Sequence, residues 1–272
     1  MSGTVEVPHG DALVVALHCS GGTPGQWRSL AAQLGPEHQM FAPNLHGAPG
    51  GPAWHGGAPF LLSEEADAVL PEIDSHCGPI HLVGHSFGGA LALHIAARRP
   101  GRVASLALYE PSAFHLLKRF GNSGRHAMDD IEGLAEKMRS HWARGTWREA
   151  AAIFVNYWNG QDSWERMRPE LQVEMIRYLP KAQLDFHALT NEPVASDIFR
   201  RLTFPVRLLR GEFAPLPTAL ITEEIAARLP DADLITVQGA GHMGPLTHPE
   251  QVAKAIVAHI RLSVMIKEAR AA

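Results

Sequence analysis

PIHLVGHSFGGALALHIAARR, Pro79 to Arg99, decides how this chain folds. Its first seven residues form a short apolar run suited to a buried strand, and from Phe87 onward the apolar spacing is that of a helix. Between the two stands the pentapeptide Gly84-His85-Ser86-Phe87-Gly88, followed by Gly89. A chain that leaves a strand and enters a helix at once must turn sharply, in a strained backbone conformation, and the glycines leave room for that turn. Ser86 is then expected to project its hydroxyl above a sheet, beside helix N–H groups that favour negative charge. A serine that only caps a helix beside packing glycines is the plain alternative, and the strand before and helix after argue against it.

Outward from this unit, apolar runs alternate with helical patterns, as in a mostly parallel sheet with helices on both faces. ALVVALH (12–18), QMFAPN (39–44), RVASLALYE (102–110), FPVRLLRG (204–211) and ADLITVQG (232–239) read as further strands. Helices are expected over 26–34, 63–76 with Ser63 as its cap, 219–229, and from Pro249 to about Arg261. The Gly- and Pro-rich loop HGAPGGPAWHGGAP (46–59) cannot be helical and is expected to skirt an opening in the fold. From Ser112 to Thr203 the strand signal vanishes and amphipathic helical stretches replace it. The expected organisation is therefore a core of residues 1–111 and 204–272, with 112–203 inserted as a helical lid.

Composition narrows the function classes. The 272 residues carry a net charge of -4, and neither sign is gathered into long runs, which argues against nucleic acid or an anionic membrane as the main partner. No basic segment followed by a long apolar stretch opens the chain, and no run reaches the length of a spanning helix, so a cytoplasmic setting is expected. Cys19 and Cys77 do not make a disulfide framework, and the histidines show no zinc spacing, so no metal is expected.

GAGHMGPLTHPEQVAKAI (239–256) places His242 in a glycine-flanked turn between the last strand and the last helix. From there an imidazole can swing over the sheet's edge towards Ser86, take its proton and return it to a leaving group. Such acyl chemistry needs two preorganised N–H donors for an oxyanion. One is expected from Phe87, directly after Ser86, and the other from the turn LHCSGGTPGQW (17–27), with Ser20 as the candidate. Cys19 in that turn has no neighbour that marks a reactive thiol. Trp54, Phe60, Phe114 and Trp158 are candidates to line an apolar substrate pocket, with plain packing as the alternative for each.

With GHSFGG, GAGHMGPLTHPE and LHCSGG in this order, the sequence resembles the α/β-hydrolase superfamily over nearly its whole length. The resemblance implies an eight-stranded, mostly parallel sheet, a nucleophile–acid–histidine triad, and a helical lid after the sixth strand. It also exposes a departure. Members usually have a carboxylate three residues after the glycine that ends the seventh strand, and in LLRGEFAPLP (208–217) that position is Ala214. Some haloalkane dehalogenases and related luciferases instead place a glutamate at the end of the sixth strand, where this chain has Glu110. Their nucleophile is an aspartate, so Ser86 does not imply dehalogenation. The acid is thus expected to be Glu110, with Glu212 or no acid as the alternatives.

The expectation for function is a cofactor-free serine hydrolase of a small, apolar carboxylic ester or similar acyl substrate, with Ser86, His242 and Glu110 as the triad. Two rivals stand beside it. One is hydrolysis of a carbon–carbon bond in a diketone-type substrate. The other is a ligand-binding sensor on the same scaffold with weak turnover, which Ala214 favours.

Overall fold

A computed structural model describes residues 12–55, 59–193 and 198–271. Six strands form one fully parallel sheet: β1 (Ala12–Leu17), β2 (His38–Phe41), β3 (Ile80–His85), β4 (Val103–Tyr109), β5 (Val206–Phe213) and β6 (Ala232–Gly241). Their order is β2-β1-β3-β4-β5-β6. The eight strands that the resemblance implied are six among the described residues, because this stretch of sequence supplies only six apolar strand runs.

The strand order reverses between β1 and β3. At such a switch point the connections leave the sheet in opposite directions and open a crevice at the strands' C-terminal ends. The turn after β1 carries Ser20 and the turn after β3 carries Ser86, so the two flank that crevice.

Side-chain alternation fills both faces of the sheet. Leu13, Val15 and Leu17 of β1 join one apolar cluster, while Val14 and Ala16 join the other. The first face is covered by α2 (Leu62–Ser75), α3 (Phe87–Arg98) and later helices, the second by α1 (Arg28–Gln33) and the last helix. Helix α2 starts one residue before its expected Ser63 cap. Glu64 instead reaches back to the Leu61 N–H at 2.8 Å and satisfies one of the orphan donors of the first turn.

Between β4 and β5 the chain is helical: α4 (Gly121–Ala143), α5 (Trp147–Asn159), α6 (Ser163–Arg166), α7 (Pro169–Asn191) and α8 (Ile198–Arg201). After β5 come α9 (Leu216–Arg228), the short α10 (Gly244–Thr247) and α11 (Pro249–Ala271). Helix α11 runs ten residues past its expected end at Arg261; Ser263 is buried and its hydroxyl bonds back to the Ile260 carbonyl at 2.7 Å. Among the described residues no helix is long and apolar enough to cross a membrane.

Candidate active site

Ser86 sits between β3 and α3 with φ 56° and ψ -117°, a region that side chains other than glycine rarely enter. The strain is held in place from both sides. Its N–H donates to the Tyr109 carbonyl at 3.1 Å, and its own carbonyl accepts the N–H groups of Ala90 and Ser112 at 3.0 Å each. The flanking glycines are sterically required. A Cβ on Gly84 would come within 2.3 Å of the Gly88 carbonyl oxygen, and one on Gly88 would come within 2.3 Å of the Leu17 carbonyl oxygen.

His242 Nε2 lies 2.9 Å from Ser86 Oγ, and His242 Nδ1 lies 2.7 Å from Glu110 Oε2. All three side chains are buried. With the Nδ1 proton given to the carboxylate, Nε2 is left as an acceptor for the Ser86 hydroxyl. That hydroxyl proton is then committed, so the 3.0 Å contact between Ser86 Oγ and Ser112 Oγ is one in which Ser112 donates.

Glu110 follows β4 with φ 41°, so that two of the three non-glycine residues with positive φ among those described are Ser86 and Glu110. Strained backbone of this kind persists where surrounding contacts over-determine it. Glu110 N–H donates to the Leu209 carbonyl at 2.9 Å, Oε1 accepts the Gly211 N–H at 2.8 Å, and Oε2 accepts the Thr218 hydroxyl at 2.9 Å. The glycine that ends the run before Ala214 therefore serves a carboxylate arriving from the neighbouring strand. Glu212 is exposed and accepts the Gly239 N–H at 2.9 Å.

The histidine turn is anchored at three points. Tyr109 Oη donates to the Gly241 carbonyl at 2.7 Å. Gly244 must lack a side chain, because a Cβ there would lie 1.9 Å from the same Tyr109 oxygen. His85 Nε2 donates to the His242 carbonyl at 2.8 Å. Burial, and after it the neighbouring His242, holds His85 well below the usual imidazole pKa, so it is a neutral strut. From the inserted helices, the Trp158 ring of α5 lies 4.5 Å from the His242 ring, tilted at 38°.

These groups open into a cavity of about 370 Å³, lined among others by Phe114, Phe154, Trp158, Met175, Phe186 and Leu246. Ser20 lines it as well, at the turn after β1. Phe87 does not; its ring is buried below, while its N–H belongs to the first turn of α3, where backbone donors have no intrahelical acceptor. Of the four aromatic candidates, Phe114 and Trp158 reach the cavity and Trp54 and Phe60 do not. Phe60 is fully buried, edge-on to Trp54 at 4.8 Å and stacked on Phe87 at 6.5 Å, so both rings pack the Gly/Pro-rich loop against the start of α3. Cys19 lines the cavity, but burial pushes its thiol up to about 12, which leaves it unreactive.

Ser112, Thr218 and Asp185 of α7 escape a reading of the sequence, being polar residues with no local pattern, brought in from other segments; His85 stands within the pentapeptide, but nothing local marks it as a strut. Among the described residues, no group of three or more histidine, cysteine, aspartate or glutamate side chains is placed to hold a metal.

Comparison with known proteins agrees with this architecture. The model of the alpha/beta hydrolase family matches residues 14–255. The chain is 29% identical to lipase LipV of Mycobacterium tuberculosis over 269 residues, covering 92% of this chain and 93% of that protein. It is 45% identical over 211 residues to a pimeloyl-[acyl-carrier protein] methyl ester esterase of Neisseria meningitidis, covering 73% and 77%. Among solved structures, the enol-lactonase of Burkholderia xenovorans LB400 superposes with a TM-score of 0.71 at 17% identity, covering 94% of each chain.

Proposed function

The chain belongs to the alpha/beta hydrolase family, and we propose that within it the protein is a serine hydrolase of small, apolar carboxylic esters that works through an acyl-enzyme on Ser86. The observation that carries this reading is the unbroken line from Ser86 Oγ to His242 (2.9 Å) to Glu110 (2.7 Å), ending in an apolar cavity. Relatives named lipase and methyl ester esterase support the reaction class.

In the proposed cycle, Ser86 Oγ attacks the ester carbonyl carbon as its proton passes to His242 Nε2. Glu110 stabilises the imidazolium. The carbonyl oxygen, now an anion, takes the Phe87 N–H and the Ser20 N–H. Collapse expels the alcohol, which leaves with the proton from Nε2. Water then repeats the sequence on the acyl-enzyme, giving the acid and free Ser86. Every proton and charge in the cycle has a side chain or backbone donor to meet it.

The segment 112–203 is proposed as the lid that shapes the acyl pocket, through Phe114, Phe154, Trp158 and Phe186. A volume of about 370 Å³ is at the small end of the range for small-molecule sites and suits a short or medium acyl group.

A fluorophosphonate probe tests the reading. Covalent labelling is expected at Ser86 in the wild type and none in Ser86→Ala, together with turnover of p-nitrophenyl butyrate. A folded wild-type protein that takes no label and turns over no ester would overturn it.

A further inference from the structure

Asp185 lies on α7, in the inserted helical segment, and its carboxylate reaches into the core turn after β1. Ser20 Oγ donates to Asp185 Oδ2 at 2.8 Å, across 165 residues of sequence. The same oxygen takes the Tyr178 hydroxyl, which also faces the backbone N–H of Gly21. Oδ1 takes the Lys181 ammonium at 2.5 Å. Lys181 continues to Glu65 on α2 at 4.0 Å, and Glu65 Oε1 accepts the His46 N–H at 3.0 Å. Tyr178, Lys181 and Asp185 are spaced three and four apart, so one face of α7 supplies all three.

This chain of charges is buried: Asp185 and Glu65 are each 1% exposed and Lys181 is 8% exposed. Buried ion pairs gain little over well-packed apolar residues of the same volume, so stability alone does not account for one here. What the network does achieve is to fix the turn after β1. There the Cys19 N–H is bonded to Gln26 Oε1 at 3.5 Å, the Gly22 N–H to the Cys19 carbonyl at 2.9 Å, and the Gly21 N–H faces Tyr178. No acceptor for the Ser20 N–H stands among these bonds, and Ser20 lines the cavity. Its side chain is the one tied to Asp185.

We propose that Asp185 is a positioning residue: through the Ser20 hydroxyl and Tyr178 it sets the direction of the Ser20 N–H, so the second oxyanion donor is ordered only while α7 is docked. The lid then governs turnover as well as access. The inference rests on the reading of Ser86 as the nucleophile and extends it.

The test uses Ser20→Ala, which removes one hydroxyl and keeps the backbone donor, Ser20→Thr, which restores a hydroxyl, and the charge-neutral pair Asp185→Asn with Lys181→Gln. With p-nitrophenyl butyrate, Ser20→Ala and the pair should each lower kcat about tenfold with KM within about twofold, since small displacements of a preorganised group are costly. Combining them should add little, and Ser20→Thr should recover most of the rate. A trifluoromethyl ketone, which accepts Ser86 Oγ at its carbonyl carbon and leaves an oxyanion with the proton on His242, should lose affinity by the same factor as kcat/KM. Wild-type kcat in Ser20→Ala, or a lower kcat with unchanged trifluoromethyl ketone affinity, would overturn the proposal while leaving the hydrolase reading intact. A wild type that neither labels nor turns over defeats that reading itself.

Discussion

Glu110 Oε2 and His242 Nδ1 lie 2.7 Å apart, although 132 residues separate them in the chain. The carboxylate comes from the end of β4 and is clamped by a backbone N–H of β5 and a hydroxyl of α9. Ala214 removes the carboxylate usual after β5, and the Gly211 N–H at that point serves Glu110 instead.

Glu110→Gln keeps the shape of the site but cannot hold an imidazolium. Its kcat on p-nitrophenyl butyrate should fall by ~10³–10⁴, the scale for losing the group that orients a catalytic histidine. Glu212→Gln should stay within about twofold of the wild type, because Glu212 is exposed and bonded to Gly239. The reverse pattern in steady-state rates would move the acid to Glu212.

Ser112 donates to Ser86 Oγ at 3.0 Å and is itself buried. In the proposed cycle that bond would fix the hydroxyl's rotamer and offset the negative charge that grows as its proton leaves. A net hydrogen bond of ~1 kcal/mol corresponds to about fivefold in rate. Ser112→Ala should therefore lower kcat about fivefold with KM nearly unchanged, as measured by initial rates across substrate concentration. An increase in kcat would mean that the bond restrains the nucleophile instead.

The parts of this molecule that a reader of the sequence can see are those written locally. The turn at Ser86 is encoded by a buried strand, three glycines and a helix within about twenty residues, and β1, β3 and β4 lie within a residue or so of where their apolar runs put them. Contacts made across the fold are not written that way. Nothing around Asp185 announces that it meets Ser20, and Thr218 looks like any helix residue. The aromatic candidates divide for the same reason. Phe60 and Phe114 are equally apolar, but one lies under a loop and the other faces a cavity, and only the packing of α5 and α7 decides which. Two strands fewer among the described residues than the resemblance implied, and a last helix ten residues longer, likewise reflect what the described stretch supplies.

The carboxylates that line the cavity are Glu174 and Asp185, with no lysine or arginine among the described lining residues. Asp185 is paired with Lys181, which leaves Glu174 as the negative charge that a substrate carboxylate meets. Neutral esters should therefore exceed matched esters with a free carboxylate, such as monomethyl succinate against methyl butyrate, by roughly tenfold in kcat/KM at low salt. Added salt should narrow the gap, because Glu174 is exposed and its field is screened. Glu174→Gln should narrow it too, and equal kcat/KM for the two esters would count against an acidic mouth.

Buried histidines set the acid limit of the fold, His85 among them. Burial lowers His18, His115 and His259 from 6.5 to about 4 each. In the unfolded chain they take up protons near 6.5, while in the folded chain they do not until about 4, so the unfolded state binds more protons between those values. The stability they contribute is complete above pH 6.5, is lost as pH falls through that window, and changes no further once both states are protonated. At pH 5 the loss is ~2 kcal/mol for each group, an order-of-magnitude figure. Urea unfolding at constant ionic strength should show a midpoint that is flat from pH 8 to 7 and then drops steadily towards pH 4.5. His115→Gln cannot titrate yet can still donate to the Leu189 carbonyl, which His115 Nδ1 meets at 3.1 Å. It should flatten that slope by no more than about one quarter, because burial lowers His85 and His38 as well, and a midpoint that does not move between pH 6.5 and 4.5 would show that these imidazoles are hydrated rather than buried.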